Sequence, residues 1–149
     1  MLITATKENT LDKELLVDLL QKRLKWAEGH LQAFSPESLK YIYKNVLQGH
    51  MVAKAKANTD GYIIKFTVPK QIVEAMGYRY GDYFDIKVNL DRREVVLLTE
   101  GENKVRLGRS NLVTLKYSFA EKRLLKGNDD MLLILKGDKL ILKSFSYMQ

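Results

Sequence analysis

The same order of signals runs twice through residues 51–149: strand, short helical patch, glycine, acid, hairpin. This duplication limits the fold more than any other feature, because two similar units in one chain must bury complementary faces. In the first copy Gly61-Tyr62-Ile63-Ile64-Lys65-Phe66-Thr67-Val68-Pro69-Lys70-Gln71-Ile72-Val73 leads to Gly77, then to Gly81-Asp82 and a hairpin ending in Val95-Val96-Leu97-Leu98. In the second, Leu112-Val113-Thr114-Leu115-Lys116-Tyr117 leads through a helical patch to Gly127, then to Asn128-Asp129 and a hairpin ending in Leu140-Ile141-Leu142-Lys143. Asp82 and Asp129 stand 47 residues apart. Alternating β-rich runs predict strands at 52–57, 62–68, 83–90 and 93–99, and again at 104–107, 112–117, 130–136 and 139–146. Helical patches are expected at 70–77 and 118–126. The copies therefore span about 52–99 and 104–146 of a domain at 51–149.

Residues 1–50 have a different period. Leu11, Leu15, Leu16, Leu19, Leu20, Leu24, Ala27 and Leu31 lay a broad apolar stripe along one helix at 11–34, with Asn9 or Thr10 as its cap. Ser35-Pro36-Glu37 then supplies a cap, a first-turn proline and an acid at the positive end of a second helix, Pro36 to about Gln48. Leu39, Ile42, Tyr43, Val46 and Leu47 share a face of it, and Gly49 ends it. The result is an αα-hairpin that docks on the rest of the chain or on a second subunit.

Physical roles can be read for the central motif. Pro69 ends a strand and opens a helix, Gly77 closes that helix, and Gly81-Asp82 turns the chain into the hairpin. The segment Phe66-Thr67-Val68-Pro69-Lys70-Gln71-Ile72-Val73-Glu74-Ala75-Met76-Gly77-Tyr78-Arg79-Tyr80-Gly81-Asp82-Tyr83-Phe84-Asp85-Ile86-Lys87-Val88 resembles the AbrB/MazE (SpoVT/AbrB-like) swapped-hairpin DNA-binding family. It departs from the family pattern in having Met76 where leucine usually precedes the glycine. The second copy lacks the proline and carries Ser118-Phe119-Ala120-Glu121 there, so it is a degenerate repeat. The resemblance covers residues 51–149 only and implies two tandem swapped-hairpin β units that form a pseudo-dimeric barrel; with the N-terminal αα-hairpin read from periodicity, the expected class is α+β.

Charge is distributed unevenly. The formal net charge is +7, yet residues 1–50 hold seven Lys or Arg against six acids. Residues 51–70 carry Lys54, Lys56, Lys65 and Lys70 against Asp60, whereas 71–102 carry four bases against seven acids. Residues 103–126 carry Lys104, Arg106, Arg109, Lys116, Lys122, Arg123 and Lys126 against Glu121, and 127–149 balance. Basic first halves and neutral or acidic hairpins are what a phosphate-facing surface requires. By position, the family resemblance assigns DNA contact to Lys54, Lys56, Lys65, Lys70, Arg106, Arg109, Lys116, Lys122 and Arg123. Arginine suits bidentate contact with guanine, and lysine suits phosphate.

Other chemistries find little support. There is no cysteine, and the histidines, His30 and His50, stand in no metal-ligand pattern. No nucleophile–base order and no Gly-rich phosphate loop occurs, so no enzymatic activity, cofactor or metal is expected. Tyr62, Tyr78, Tyr80, Tyr83 and Tyr117 are expected in core and rim packing, with stacking on single-stranded nucleic acid as an alternative. Absence of a signal-like N-terminus and of a membrane-length apolar run makes a cytoplasmic location the expectation.

The leading expectation is a sequence-specific double-stranded DNA-binding transcriptional regulator, with autoregulation as one role. An antitoxin-like module would instead bind a protein partner through its N-terminal helices. Residues 11–48 are the segment expected to make a homodimer or hold that partner. A recognition helix at 36–48 using Lys40, Tyr41 and Lys44 is disfavoured by its near-neutral setting.

Overall fold

The computed structural model describes residues 2–99 and 105–149, with side chains from residue 13 onward. Two compact units result: residues 1–50 with 148–149, and residues 51–147. Leu11 and Lys104, used above, lie outside the described side chains.

The first unit holds helices α1 (Leu2–Leu24), α2 (Glu28–Ala33) and α3 (Pro36–Leu47). The single helix expected at 11–34 is therefore broken, and Asn9 and Thr10 fall inside α1 rather than at its start. Lys25 adopts a left-handed conformation (φ 58°), its N–H donating to Gln21 O at 2.8 Å, and Ala27 is extended (ψ 134°). The break coincides with burial of Trp26, Leu31 and Phe34, and burying a large aromatic offsets the roughly 1–2 kcal/mol cost of a left-handed residue. The expected α1 stripe is also rotated: Val17 and Leu20 are buried while Leu15 is 57% exposed.

Helix α3 starts as expected, with Ser38 N–H donating to Ser35 Oγ at 3.1 Å and Pro36 in the first turn. Leu39 and Ile42 are fully buried, but Leu47 at the last turn is exposed and Asn45 takes a buried place, its Nδ2 donating to Tyr41 O. Gly49 (φ 81°) follows the helix end, and Ser35 N–H donates to Met148 O at 2.9 Å, tying residues 148–149 to this unit.

The second unit is an eight-stranded, wholly antiparallel, nearly closed barrel. Its strands are β1 (Met51–Thr59), β2 (Ile63–Thr67), β3 (Tyr83–Asn89), β4 (Glu94–Leu98), β5 (Val105–Arg106), β6 (Leu112–Lys116), β7 (Asp129–Lys136) and β8 (Lys139–Ser144). Helix α4 (Lys70–Met76) follows β2, and α5 (Ser118–Glu121) follows β6. The order is β5-β3-β4-β8-β7-β1-β2-β6, and a bridge between Leu107 and Val113 joins the end strands.

Exchanging each strand with the fourth one after it leaves this ring unchanged. The β2–β6 pair centres on Lys65 opposite Thr114, and the β4–β8 pair has Val96 opposite Ile141. Strand β1 pairs first with β7 and then with β2, just as the chain at β5 pairs first with β3 and then bridges to β6. The hydrogen bonds repeat as well: Gly81 N–H donates to Leu107 O at 2.9 Å, and Asn128 N–H donates to Ala57 O at 2.6 Å.

Period-two patterning places the core inside the barrel. Ile64, Phe66, Val113 and Leu115 point inward from β2 and β6, meeting Phe84, Leu97, Leu133 and Leu142. Full burial of such side chains stabilises the fold by about 1.5–3 kcal/mol each. Pro69 precedes α4 in an extended conformation, and Gly77 ends that helix at φ 71°. In the second copy the corresponding left-handed residue is Arg123 (φ 58°), and α5 is only four residues long. Gly127, expected to match Gly77, does other work. A Cβ there would overlap Thr59 Cγ2, so glycine permits the close approach of two chain segments.

Candidate nucleic-acid interface

Strands β2 and β6 lie side by side, and alternation turns Ile63, Lys65 and Thr67, with Leu112, Thr114 and Lys116, to the outside. Asn58 of β1 pairs with Lys65, which pairs with Thr114, so one row crosses three strands. Lys54 and Lys56 share the outer face of β1, since Ala53, Ala55 and Ala57 pack inward. Lys56 is exposed opposite Asp130, while Lys54 is half-buried opposite Leu132.

On the other side of β6, Arg106 of β5 and Arg109 of the following turn converge on Tyr80. Their guanidinium carbons lie 4.9 and 6.0 Å from the ring centroid. At the nearer distance a cation–π attraction is expected. Tyr80, Val105, Arg106, Gly108, Arg109, Leu112 and Thr114 line a cleft of about 460 Å³ beside the β2–β6 pair. The turn is held by Gly108 N–H donating to Leu112 O at 2.8 Å, with Ser110 and Asn111 both left-handed. Val68 N–H donates to Asn111 O, which fixes the start of α4 beside this turn.

A second cleft of about 240 Å³ flanks the pair on the β1 side, lined by Asn58, Thr59, Asp60, Ile63 and Lys65. Asp60 Oδ1 accepts from Tyr62 N–H at 2.9 Å and from Ile63 N–H at 3.3 Å, and these bonds hold its carboxyl below the usual carboxylate range. Thr59 Oγ1 donates to Ile63 O and accepts from Gly61 N–H, closing the same turn.

The nine residues singled out from the sequence thus do not all meet on one surface. Lys65, Lys116, Arg106 and Arg109 come together from three strands and a turn around the β2–β6 pair, while Lys56 stands opposite Asp130 of β7. Lys70 stands at the start of α4, 3.8 Å from Glu74, and Lys122 and Arg123 are exposed at the end of α5. Lys54 is partly sheltered. Packing describes Tyr78, whose ring lies 4.5 Å from Phe84. Tyr62, Tyr80 and Tyr83 are exposed instead, by 83%, 58% and 43%. The sequence does not join Tyr80 to the arginines, because β5 meets β3 only through non-local pairing, Arg106 with Tyr83 and Val105 with Phe84.

Fold and face together define an α+β chain whose β unit is a nearly closed antiparallel barrel with a basic outer strip. No family model, curated protein or solved structure matches it. Among the described residues no cluster of three or more His, Cys, Asp or Glu could hold a metal ion, and no helix is long and apolar enough to cross a membrane.

Proposed function

We propose that the chain is a sequence-specific double-stranded DNA-binding transcriptional regulator, built as a tandem swapped-hairpin domain of the AbrB/MazE type. The observation that carries this reading is the convergence of Lys65, Lys116, Arg106 and Arg109 around one exposed strand pair. The β2–β6 pair has no acid among its outward residues. A two-stranded β surface can enter the major groove, where arginines reach base edges and lysines reach phosphates.

Strand exchange supports the tandem part. The first strand of each copy pairs with the hairpin of the other, β1 with β7 and β5 with β3. Two copies in one chain then do what two subunits of a swapped dimer do, and the barrel leaves few free strand edges.

Fluorescence anisotropy of the full chain on labelled duplex tests the reading. Affinity should fall roughly a thousandfold or more between 50 and 200 mM salt if ~6–10 phosphates are engaged. Absence of duplex binding at low salt would remove the proposal. Tighter binding to single strands than to duplex would move the function to the stacking alternative that exposed Tyr62 and Tyr80 could serve.

A further inference from the structure

The geometry points to a directional, non-palindromic DNA target, read mainly by the cleft of Tyr80, Arg106 and Arg109. This inference rests on the DNA-binding reading above and specifies the substrate class of that site.

The strand ring maps onto itself when the copies are exchanged, so the clefts flanking β2–β6 occupy corresponding places. Their chemistry does not correspond. One cleft carries two guanidiniums over an exposed tyrosine and no acid. The other carries Asp60 and Lys65. Register extends the contrast. Arg106 pairs with Tyr83 on the barrel wall, while Lys56, at the matching place on β1, pairs with Asp130. Where the first cleft has Tyr80 two residues before Asp82, the second copy has Gly127 two residues before Asp129, and Thr59 fills that space. The helices differ too: α4 ends in Met76-Gly77 and α5 is followed by Lys122-Arg123.

A symmetric dimer presents two identical halves and matches a palindromic site. Two copies in one chain are free of that identity, and here the halves have diverged in charge, donor geometry and aromatic content. Arg106 and Arg109 can each offer a guanidinium fork to guanine O6 and N7. Asp60 offers only acceptors and repels phosphate, and its hydrogen bonds keep it ionised. Turning the DNA end for end therefore exchanges unlike surfaces, and the two orientations differ in energy.

Selection of the full chain against a random duplex library, followed by sequencing of the retained fraction, provides the test. A motif without dyad symmetry is expected, and Arg109→Ala should erase base preference in one half while leaving the other half unchanged. A palindromic motif, or retention of duplex with no motif, overturns directionality while DNA binding stands. No retained duplex removes both readings. Orientation can be read separately. The chain has no cysteine, so a Tyr62→Cys variant carries one DNA-cleaving iron chelate at the 83% exposed position beside Asp60. Cleavage on one side of the selected motif is expected, and equal cleavage on both sides overturns the inference.

Discussion

The guanidinium of Arg106 lies 4.9 Å from the ring centroid of Tyr80, although 26 residues separate them along the chain. The contact orients an exposed arginine that would otherwise sample many rotamers. Pre-ordering lowers the entropy lost when that arginine grips a ligand. Arg106→Ala should therefore weaken duplex binding by ~10–100-fold, the range of a lost bidentate base contact. Tyr80→Phe keeps the ring and should retain near-native affinity, whereas Tyr80→Ala should lose a smaller factor than Arg106→Ala. Anisotropy titrations with unchanged circular dichroism check the series; equal losses for Phe and Ala at position 80 would assign the hydroxyl, not the ring.

Lysines on the strand pair should behave differently. Lys65 sits at the centre of the β2–β6 pair, opposite Thr114, and Lys116 is diagonal to it, opposite Ile63. Each is suited to a phosphate. Lys65→Ala and Lys116→Ala should weaken binding to all duplex sequences about equally, and each should lower the slope of log K against log salt by about 1. Measuring the slope on a preferred and a random duplex checks this, and a sequence-dependent loss would make either lysine a base reader.

How far the sequence discloses these features depends on distance along the chain. Ser35-Pro36 and Pro69 with Gly77 act within one or two turns, and the local rules place α3 and α4 within a residue or two. Strand positions were legible because burial alternates along β2 and β6. The break at Lys25 was not, since neither glycine nor proline marks it and burial of Trp26 is a tertiary effect. Arg123 likewise takes a left-handed conformation that composition gives to Gly127. The family resemblance named nine basic residues by position, but which of them meet, Lys65, Lys116, Arg106 and Arg109, depends on pairings between β2, β5 and β6. Tyr80 joined them only through the non-local meeting of β3 and β5.

Gly127 offers a test of the junction between the copies. A Cβ at this position would overlap Thr59 Cγ2 and come within 3.3 Å of Thr59 Cβ. Gly127→Ala should destabilise by about 1–3 kcal/mol, the usual cost of overpacking. Thr59→Ser removes the offending methyl and keeps the hydroxyl that donates to Ile63 O at 2.7 Å. The double variant should recover most of the loss. Thermal or urea unfolding of the four proteins in the cycle measures the coupling, and additive effects would show that the strain lies elsewhere.

Tyr78 should contribute to the loss of stability at alkaline pH. Its hydroxyl lies 2.7 Å from Tyr83 O and 3.0 Å from Thr99 O, donating to these carbonyls between α4 and the barrel. Burial, and then the Asp82 carboxylate, push the phenol above its ordinary range. A raised value means that the folded state holds the proton more tightly than the unfolded chain. The associated stability is fully present below pH about 10, the unfolded value, and is lost as pH rises through the folded one. Tyr78→Phe should cost about 1 kcal/mol at neutral pH for the lost hydrogen bond. It should also flatten this residue's share of the decline above pH about 10. Urea midpoints of both proteins from pH 7 to 11 measure the two effects. Parallel declines would assign the alkaline loss to another group.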